Sequence, residues 1–464
     1  MVAGGVVGRW RIACWHAIAG MAAALSLSTP AGAAADHAVA PLAAAARRAG
    51  LRVLTGEHLT LVTDRPARKG DSVDELPQVF DEAFAAWCRH YDSGPQDHRD
   101  WRAFGCLVVD RERFRAAGLL PDSVPDFSNG FCDRNRFWMI DQTNPAYRRH
   151  LLLHEGVHAF TISLRNLDTP AWYTEGIAEL LATHRLEVAA DGGPRFVATP
   201  VPQAAADVEQ LGRIEAIRRL RGAGRMPGLD EVFTAEGSAH GDMKLYASSW
   251  AAAAMLSLHP RYAAAFAATE RGPLGRDFTT RLMQSPQWDA AGAARDFDAF
   301  TDDVDYGYDF SRSAIDWADG APLDDGRAAP RVVEVDAARG WQNSGLRLTR
   351  GQRYAVRARG RAVIGESAAS DLETEPDGIS IDWYRGRPLG RLVAAQWADS
   401  PAELDGTPGG RSGFLIVAEG AAGDFVAPVD GPLFFKLNEP PGDLTDNVGG
   451  FSVDIGIGGA APSP

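Results

Sequence analysis

The stretch from Leu151 to Thr183 constrains this chain most, because it contains the pattern H-E-x-x-H. The motif residues are His154, Glu155 and His158. An α-helix turns about 100° per residue, so side chains four apart project from one face and the two imidazoles can bind a single ion. Neutral imidazole suits zinc, which in hydrolytic sites keeps three protein ligands and one open position.

The third ligand is predicted in a second helix that follows the turn signal Asp168–Pro170. This helix carries Glu175 and Glu179, again four apart, and Glu175 lies 17 positions beyond His158. That length lets the chain turn and bring the Glu175 carboxylate back to the ion. Glu179 is predicted to accept the N–H of a ligating imidazole, as carboxylates near zinc sites commonly do. Glu155 is predicted to be the general base of a hydrolytic reaction.

The same residues resemble a known group of enzymes. H-E-x-x-H followed by Trp172–Glu179, with the sequence W-Y-T-E-G-I-A-E, is similar to the gluzincin metallopeptidases, in particular the bacterial peptidase MA-like families. The resemblance implies an α+β zincin-like catalytic domain, zinc as cofactor and a protein or glycoprotein substrate. It also implies the roles of four residues: zinc ligation by His154, His158 and Glu175, and general base catalysis by Glu155.

Two further features follow from this resemblance. Tyr246, in the sequence Y-A-S-S-W, could donate a hydrogen bond to the oxyanion, and the alternative is a core tyrosine whose hydroxyl has a partner. In gluzincins an edge strand near the metal holds the substrate backbone by strand addition. The segment Phe137–Asp141 is the candidate for that strand.

The first 35 residues are predicted to be a secretory signal peptide. Arg9 and Arg11 precede the apolar run Ile12–Leu27, and small residues occupy positions 31–35. No other stretch approaches the roughly 20 apolar residues of a membrane span. The sequence therefore predicts an exported protein, periplasmic or extracellular, that does not cross a membrane.

Composition favours a globular acidic protein of two or more domains. The 464 residues are 45% hydrophobic and 23% charged, with a formal net charge of −14. Loss of Arg9 and Arg11 with the signal peptide would bring the charge to about −16, which argues against nucleic acid or an anionic membrane as partner. Only Cys88, Cys106 and Cys132 would remain, which allows at most one internal disulfide.

Changes in composition and hydrophobic pattern along the chain predict the domain boundaries. Residues 36–318 form the predicted catalytic domain, and residues 319–330, rich in Pro, Gly and charge, form a predicted linker. About seven short alternating runs between 331 and 458 are separated by glycine-rich turns, which is typical of an all-β sandwich. Residues 459–464 would be a short tail.

The C-terminal part carries a second resemblance. The segments Trp341–Gly365 and Gly431–Gly456 are similar to the calcium-dependent galactophilic bacterial lectin, which implies a galactose-binding-like jelly roll and glycans as possible partners. An alternative for the loop after residue 438 is a solvated acidic turn. The positions that match the lectin's calcium ligands are the side chains of Glu439, Asp446 and Asn447 and the carbonyls of Asp443 and Ile364. The resemblance therefore implies that these groups bind calcium.

The sequence thus predicts an exported zinc metallopeptidase tethered to glycans or glycoproteins by a lectin-like module. Two other hypotheses remain open. One is an adhesin-like glycan-binding protein with a structural or vestigial zinc site. The other is a zinc amidase that acts on peptidoglycan.

Overall fold

The computed structural model describes residues 31–68, 70–190, 192–208, 212–235, 243–323, 330–366, 371–399 and 412–458, with side chains from residue 39 onward except that of Glu366. Most of the predicted signal peptide and the whole of the predicted tail lie outside these residues. Within them, no helix is both long enough and apolar enough to cross a lipid bilayer.

The N-terminal part of the described chain is rich in α-helix. Short 3₁₀ helices cover Ser72–Glu75, Pro95–His98 and Ala205–Val208. The α-helices are α1 (Ala31–Arg48), α2 (Leu76–His90), α3 (Arg111–Ala116), α4 (Pro145–Arg165), α5 (Ala171–Ala182), α6 (Arg213–Gly222), α7 (Leu229–Phe233), α8 (Met243–Leu258), α9 (Ala263–Arg271), α10 (Phe278–Met283) and α11 (Ala290–Asp303).

One five-stranded sheet and one hairpin accompany these helices. The sheet has the order β1-β2-β3-β5-β4, with parallel pairs β2–β3 and β3–β5 and antiparallel pairs at both ends. The strands of the sheet are β1 (Arg52–Thr55), β2 (Leu59–Thr63), β3 (Ala103–Val108), β4 (Gly130–Asp133) and β5 (Arg136–Ile140), and those of the hairpin are β6 (His184–Val188) and β7 (Pro194–Ala198).

The core of this part lies between the sheet and helices α2 and α4. Apolar residues of α2 recur every three or four positions, so Phe80, Phe84 and Trp87 share one buried face. These rings pack against Phe137 of the sheet and Phe160 of α4. Helix α4 is therefore fixed against the sheet and α2 by this aromatic core.

The segment predicted as the substrate-binding edge is not an edge of the sheet. Strand β5, which contains most of Phe137–Asp141, lies between β3 and β4 and is not an edge. The two edges of the sheet are β1 and β4, and β4 lies in a segment for which the sequence analysis predicted no strand. A two-residue turn, Arg134–Asn135, folds β4 back onto β5, and Arg134 adopts the left-handed conformation at φ 55°.

The C-terminal part is rich in β-strand. Its two larger sheets have the orders β16-β15-β18-β10-β8 and β12-β11-β19-β9, with β17 also paired to β11, and they share one apolar core. The strands are β8 (Ala321–Pro322), β9 (Arg331–Asp336), β10 (Gln342–Leu348), β11 (Arg353–Glu366), β12 (Asp371–Thr374), β13 (Ile379–Tyr384), β14 (Arg387–Leu389), β15 (Leu392–Ala398), β16 (Gly413–Glu419), β17 (Ala422–Val426), β18 (Gly431–Leu437) and β19 (Val448–Ile457).

The segment expected to be a linker is partly structured. Ala321 and Pro322 form β8, which pairs with β10, and Leu323 is buried in the core between the two sheets. Residues 324–329 lie outside the described chain. The burial of the apolar Leu323 side chain joins the described start of this segment to the β-rich core.

The two parts of the chain contact each other through an aromatic cluster and ion pairs. Ala299 of α11 and Trp317 pack with Trp341, Trp397 and Phe434 of the β-rich part. Charged contacts at the end of α11 add to this interface. The two parts are therefore in direct contact.

The three cysteines outside the predicted signal peptide are free thiols in the described chain. Cys88 and Cys106 are buried, and Cys132 is half-buried on β4. Burial raises the pKa of the Cys88 thiol to about 11. The disulfide that the sequence allowed is not formed among these residues.

Candidate metal centre

The H-E-x-x-H motif lies on the buried face of helix α4. The Asn144 side chain accepts a hydrogen bond from the Tyr147 N–H at 2.9 Å and so caps the N-terminus of the helix. Pro145 is favourable at the first helical position because it has no N–H group that would need a partner. His154, Glu155 and His158 are each less than 9% exposed. A buried helix face that carries these polar groups requires partners for them.

Helix α5 supplies the third group. His154 Nε2 and His158 Nε2 lie 3.1 Å apart, and Glu175 Oε2 is 3.4 Å from the first and 3.5 Å from the second. A tetrahedral ion with bonds of about 2.0–2.1 Å separates its ligand atoms by about 3.3–3.4 Å, so the three atoms fit one zinc-sized ion. Glu175 Oε2 is buried and has no hydrogen-bond partner, which is consistent with a ligand atom.

The charges of these groups depend on each other. Burial alone would raise the pKa of Glu175, but the facing His158 and His154 imidazoles lower it far below its usual range. Burial alone would lower the pKa of His154, but Glu175 and Glu179 raise it to about 10. A divalent cation bound between these groups would supply the positive charge that the two carboxylates favour at the imidazoles.

Glu179 lies on the far side of His154 from the proposed ligand atoms. Its Oε1 is 3.2 Å from His154 Nδ1, near enough for the predicted contact, but Nδ1 itself makes no hydrogen bond of regular geometry. Arg213 of α6 donates Nη2–H to Oε1 at 2.6 Å and Nε–H to Oε2 at 2.7 Å. His150 Nε2 lies 3.2 Å from Oε2. Burial would raise the pKa of Glu179, and the Arg213 guanidinium together with the facing imidazoles lowers it instead.

Arg213 and His150 were not predicted as site residues. His150 lies four positions before His154, so a third histidine at helical spacing was a readable signal. Together with His154 Nδ1 and Glu179 it forms a second group whose ligand atoms lie within 4.8 Å of one another. Arg213 gave no such signal, because it comes from a helix far along the chain.

Glu155 faces β4 across a narrow gap. A Cβ atom on Gly130 would lie 2.1 Å from Glu155 Oε1, so a larger residue at position 130 would force the Glu155 side chain to move. Burial raises the pKa of the Glu155 carboxyl above its usual value, which suits a group that accepts a proton near neutral pH. The cleft beside it is lined by Ser128, Asn129, Gly130, Tyr147, His150, Leu151, His154, Glu155, Glu179, Arg213, Met243 and Tyr246.

Tyr246 of α8 lines this cleft, as its predicted role requires. Its ring lies 5.8 Å from the His154 ring, and the Arg213 guanidinium carbon lies 5.4 Å from its ring centre. Burial and the nearby carboxylates raise the pKa of Tyr246, so the phenol keeps its proton and can act as a donor. His184 has a structural role instead. Its Nδ1 contacts the Ala182 carbonyl, and its Nε2 accepts a hydrogen bond from Arg149.

The predicted calcium ligands line or adjoin one cavity of the β-rich part. Glu439 and Asn447 are buried, and Asn447 donates to Glu439 Oε2 and, at 3.0 Å, to the Ala337 carbonyl. Asn447 Oδ1 is buried without a hydrogen-bond partner. Burial and two neighbouring aspartates raise the pKa of Glu439 to about 8. The other predicted ligands that line this cavity are Ile364, Asp443 and Asp446.

These groups do not form a closed set of ligands. Among the residues that the structure describes, the carboxylates of Glu439, Asp443 and Asp446 do not all come within 4.8 Å of one another. The unpartnered Asn447 oxygen and the three carboxylates still match the oxygen donors that calcium prefers. The chemistry therefore fits calcium, although the ligand distances are larger than at the histidine site.

No protein-family profile and no curated protein sequence matches this chain. Solved structures show weak similarity to this chain, among them the following two. The first, the EclA N-terminal domain, a PllA-like lectin, is 21% identical over 28% of this chain and 100% of its own length, with a TM-score of 0.21. The second, the IMPa metallopeptidase in complex with T-antigen, is 10% identical over 92% of this chain, with a TM-score of 0.15. This chain spans 54% of the length of that second structure.

Proposed function

We propose that the chain is an exported zinc metallopeptidase of the gluzincin type. The observation that carries this proposal is the convergence of His154 Nε2, His158 Nε2 and Glu175 Oε2 at 3.1–3.5 Å. A bound zinc ion supplies a Lewis acid and lowers the pKa of water to about 7. The three ligands come from the two consecutive helices of a zincin-like α+β domain.

The residues around the ligands would transfer the proton, orient an imidazole and stabilise the oxyanion. The Glu155 carboxylate takes the proton of the attacking water and delivers it to the leaving amine. Glu179 accepts the Nδ1–H of His154 and keeps the imidazole oriented, while Tyr246 donates its phenol proton in a hydrogen bond to the oxyanion. The separation of 3.2 Å between Glu179 and His154 and the place of Tyr246 in the cleft support these roles.

A peptide substrate fits the cleft because β4 is an open sheet edge next to Glu155. One side of β4 pairs with β5, and the other side pairs with no strand among the residues that the structure describes. An extended peptide can add to such an edge through main-chain hydrogen bonds. Gly130 then brings the bound peptide close to the Glu155 carboxylate.

Substitution of Glu155 tests the proposed reaction. We expect Glu155→Gln to keep about one zinc per chain by metal analysis, because Glu155 is not a ligand, and to abolish hydrolysis of casein or a glycoprotein. Glu187→Gln, which changes a half-exposed glutamate on β6, is the matched control and should retain full activity. Hydrolysis by Glu155→Gln at the wild-type rate would contradict the proposal. Peptidoglycan fragments in the same assay test the amidase alternative.

A second function, glycan binding, is favoured by the unpartnered oxygen of Asn447 beside the buried Glu439. In this proposal residues 331–458 form a lectin-like jelly roll whose loop binds calcium and a sugar. A weak glycan contact would raise the local concentration of a glycoprotein substrate. Binding on a glycan array should disappear when calcium is chelated. Binding without any hydrolysis would favour the adhesin alternative.

A further inference from the structure

A turn that follows α11 brings the two parts of the chain into backbone contact. This turn, residues 305–309, packs on the loop at residues 440–443 of the β-rich part. The Asp309 N–H donates a hydrogen bond to the Pro441 carbonyl at 3.2 Å. A Cβ atom on Gly442 would lie 2.2 Å from the Tyr306 carbonyl oxygen, so the two backbones leave no room for a side chain between them. The position of the loop therefore limits the position of the turn.

The same turn also binds helix α6. The Tyr306 hydroxyl donates to Glu215 Oε1, and Asp305 forms an ion pair with Arg218. Glu215 and Arg218 both belong to α6. A helix turns about 100° per residue, so these two side chains project from the side of α6 roughly opposite to Arg213. The helix is thus attached to the turn on one side and, through Arg213, to α5 on the other.

A second contact leads from the turn to the surroundings of Glu179. The Gly307 N–H donates to the Pro202 carbonyl at 2.8 Å. Pro202 lines a pocket together with Glu179 and Arg213. Close-packed interiors transmit small displacements, because there is little free volume to absorb them. A displacement of the turn would therefore move groups that surround the Glu179 carboxylate.

We propose that the loop at residues 440–443 positions the zinc site from the β-rich part. The loop holds the turn, the turn holds α6, and α6 keeps Arg213 on the buried Glu179 carboxylate, which lies beside His154. The inference rests on the proposed zinc-dependent function. It adds a role for the β-rich part that needs neither calcium nor a sugar: this part helps to determine the affinity for zinc.

The test measures the zinc dissociation constant of the full-length protein by competition with a chelator. Gly442→Ala places a methyl group against the Tyr306 carbonyl and should raise the constant about tenfold, the lower end of the range for lost support near a metal. Gly456→Ala on β19 is the matched control, because the nearest neighbour of a Cβ atom there lies 3.9 Å away. The control should bind zinc as the wild type does.

A milder variant changes the next contact in the series. Tyr306→Phe removes only the hydroxyl that donates to Glu215, and we expect it to raise the zinc dissociation constant about threefold. It introduces no added atom, so it replaces Gly442→Ala in every comparison if urea unfolding shows that Gly442→Ala does not fold.

A double variant separates positioning from a general loss of stability. Arg213→Gln removes the last contact in the series, so adding Gly442→Ala to it should leave the zinc dissociation constant where Arg213→Gln alone has set it. Independent effects would multiply instead, because free energies of uncoupled changes add.

Four results overturn the inference. A constant unchanged in both Gly442→Ala and Tyr306→Phe shows that the zinc site does not depend on the loop, and it leaves the proposed function intact. An equal loss of affinity in Gly456→Ala assigns the effect to general loosening of the β-rich part. The same fold-increase in the Arg213→Gln background shows that the loop does not act through Arg213. If the wild type binds no zinc, the inference and the proposed function are both wrong.

Discussion

Arg213 holds the carboxylate that orients His154. Both oxygens of Glu179 accept from its guanidinium, and Glu179 is only 1% exposed. Removing a partner from a buried carboxylate is costly, and loss of such support near a metal commonly weakens metal binding about 10–100-fold.

We therefore expect Arg213→Gln to raise the zinc dissociation constant by about this factor, measured by competition with a chelator. Arg195→Gln, an exposed arginine on β7, is the control and should bind zinc as the wild type does. A dissociation constant unchanged in Arg213→Gln would show that Glu179 does not depend on Arg213.

His90 should make stability depend on pH. Burial alone would lower its pKa, but Glu270, 3.2 Å away, and Asp92 raise it above 6.5. A histidine with a raised pKa in the folded state stabilises the protein fully below its unfolded pKa, and this contribution is lost as pH rises through the folded pKa. The difference in unfolding free energy between wild type and His90→Gln should thus be largest below about pH 6.5 and shrink above it. Urea titrations across this range measure it, and a constant difference would contradict the prediction.

Helix α5 can position Glu175 only because it packs very closely on α8. A Cβ atom on Gly176 would lie 2.4 Å from the Ser249 carbonyl oxygen of α8, so the glycine next to Glu175 sets the distance between the helices. We expect Gly176→Ala to destabilise the protein by about 1–3 kcal/mol, because the backbone must move, and to weaken zinc binding by displacing Glu175. Calorimetry and metal analysis measure both effects.

The control for this change is Gly222→Ala in α6. A Cβ atom at Gly222 would meet no atom within 4 Å, so alanine should be neutral or slightly stabilising there. A Gly176→Ala protein with wild-type stability would show that α5 and α8 can separate without cost.

Strands β4 and β5 show that the sequence can predict a strand without predicting its position in the sheet. Strand β5 was predictable from its apolar run, and the structure places it at Arg136–Ile140, one residue before the predicted segment Phe137–Asp141 at each end. Its position inside the sheet was not predictable, because a strand becomes an edge only by the absence of a neighbour. The short segment Gly130–Asp133 forms that neighbour, and its glycine and turn residues favoured a loop interpretation.

Across the whole molecule, Asp303 links the two parts of the chain. It pairs with Lys436 and Arg385 of the β-rich part at 2.9 Å each. Lys436 is 10% exposed at its side chain, so loss of its partner would leave a charge poorly solvated. We expect Asp303→Asn to lower the unfolding free energy by about 1–3 kcal/mol and to separate the unfolding of the two parts in calorimetry.

The neighbouring Asp302 provides the control. Its side chain is exposed, and its contact with Arg385 uses the backbone carbonyl, which Asp302→Asn retains. Asp302→Asn should unfold as the wild type does. A single unchanged transition in Asp303→Asn would mean that the aromatic cluster alone joins the two parts.

The sequence by itself determined which residues could meet at a metal and which part of the chain would be helical or extended. Spacing along a helix is a local property, so the pairing of His154 with His158 follows from their separation in the chain alone. The partners that complete the site, Arg213 and Gly130, come from elements distant in the chain. Only tertiary packing decided their positions, because contacts between distant segments depend on the sum of many weak apolar interactions and leave no local pattern.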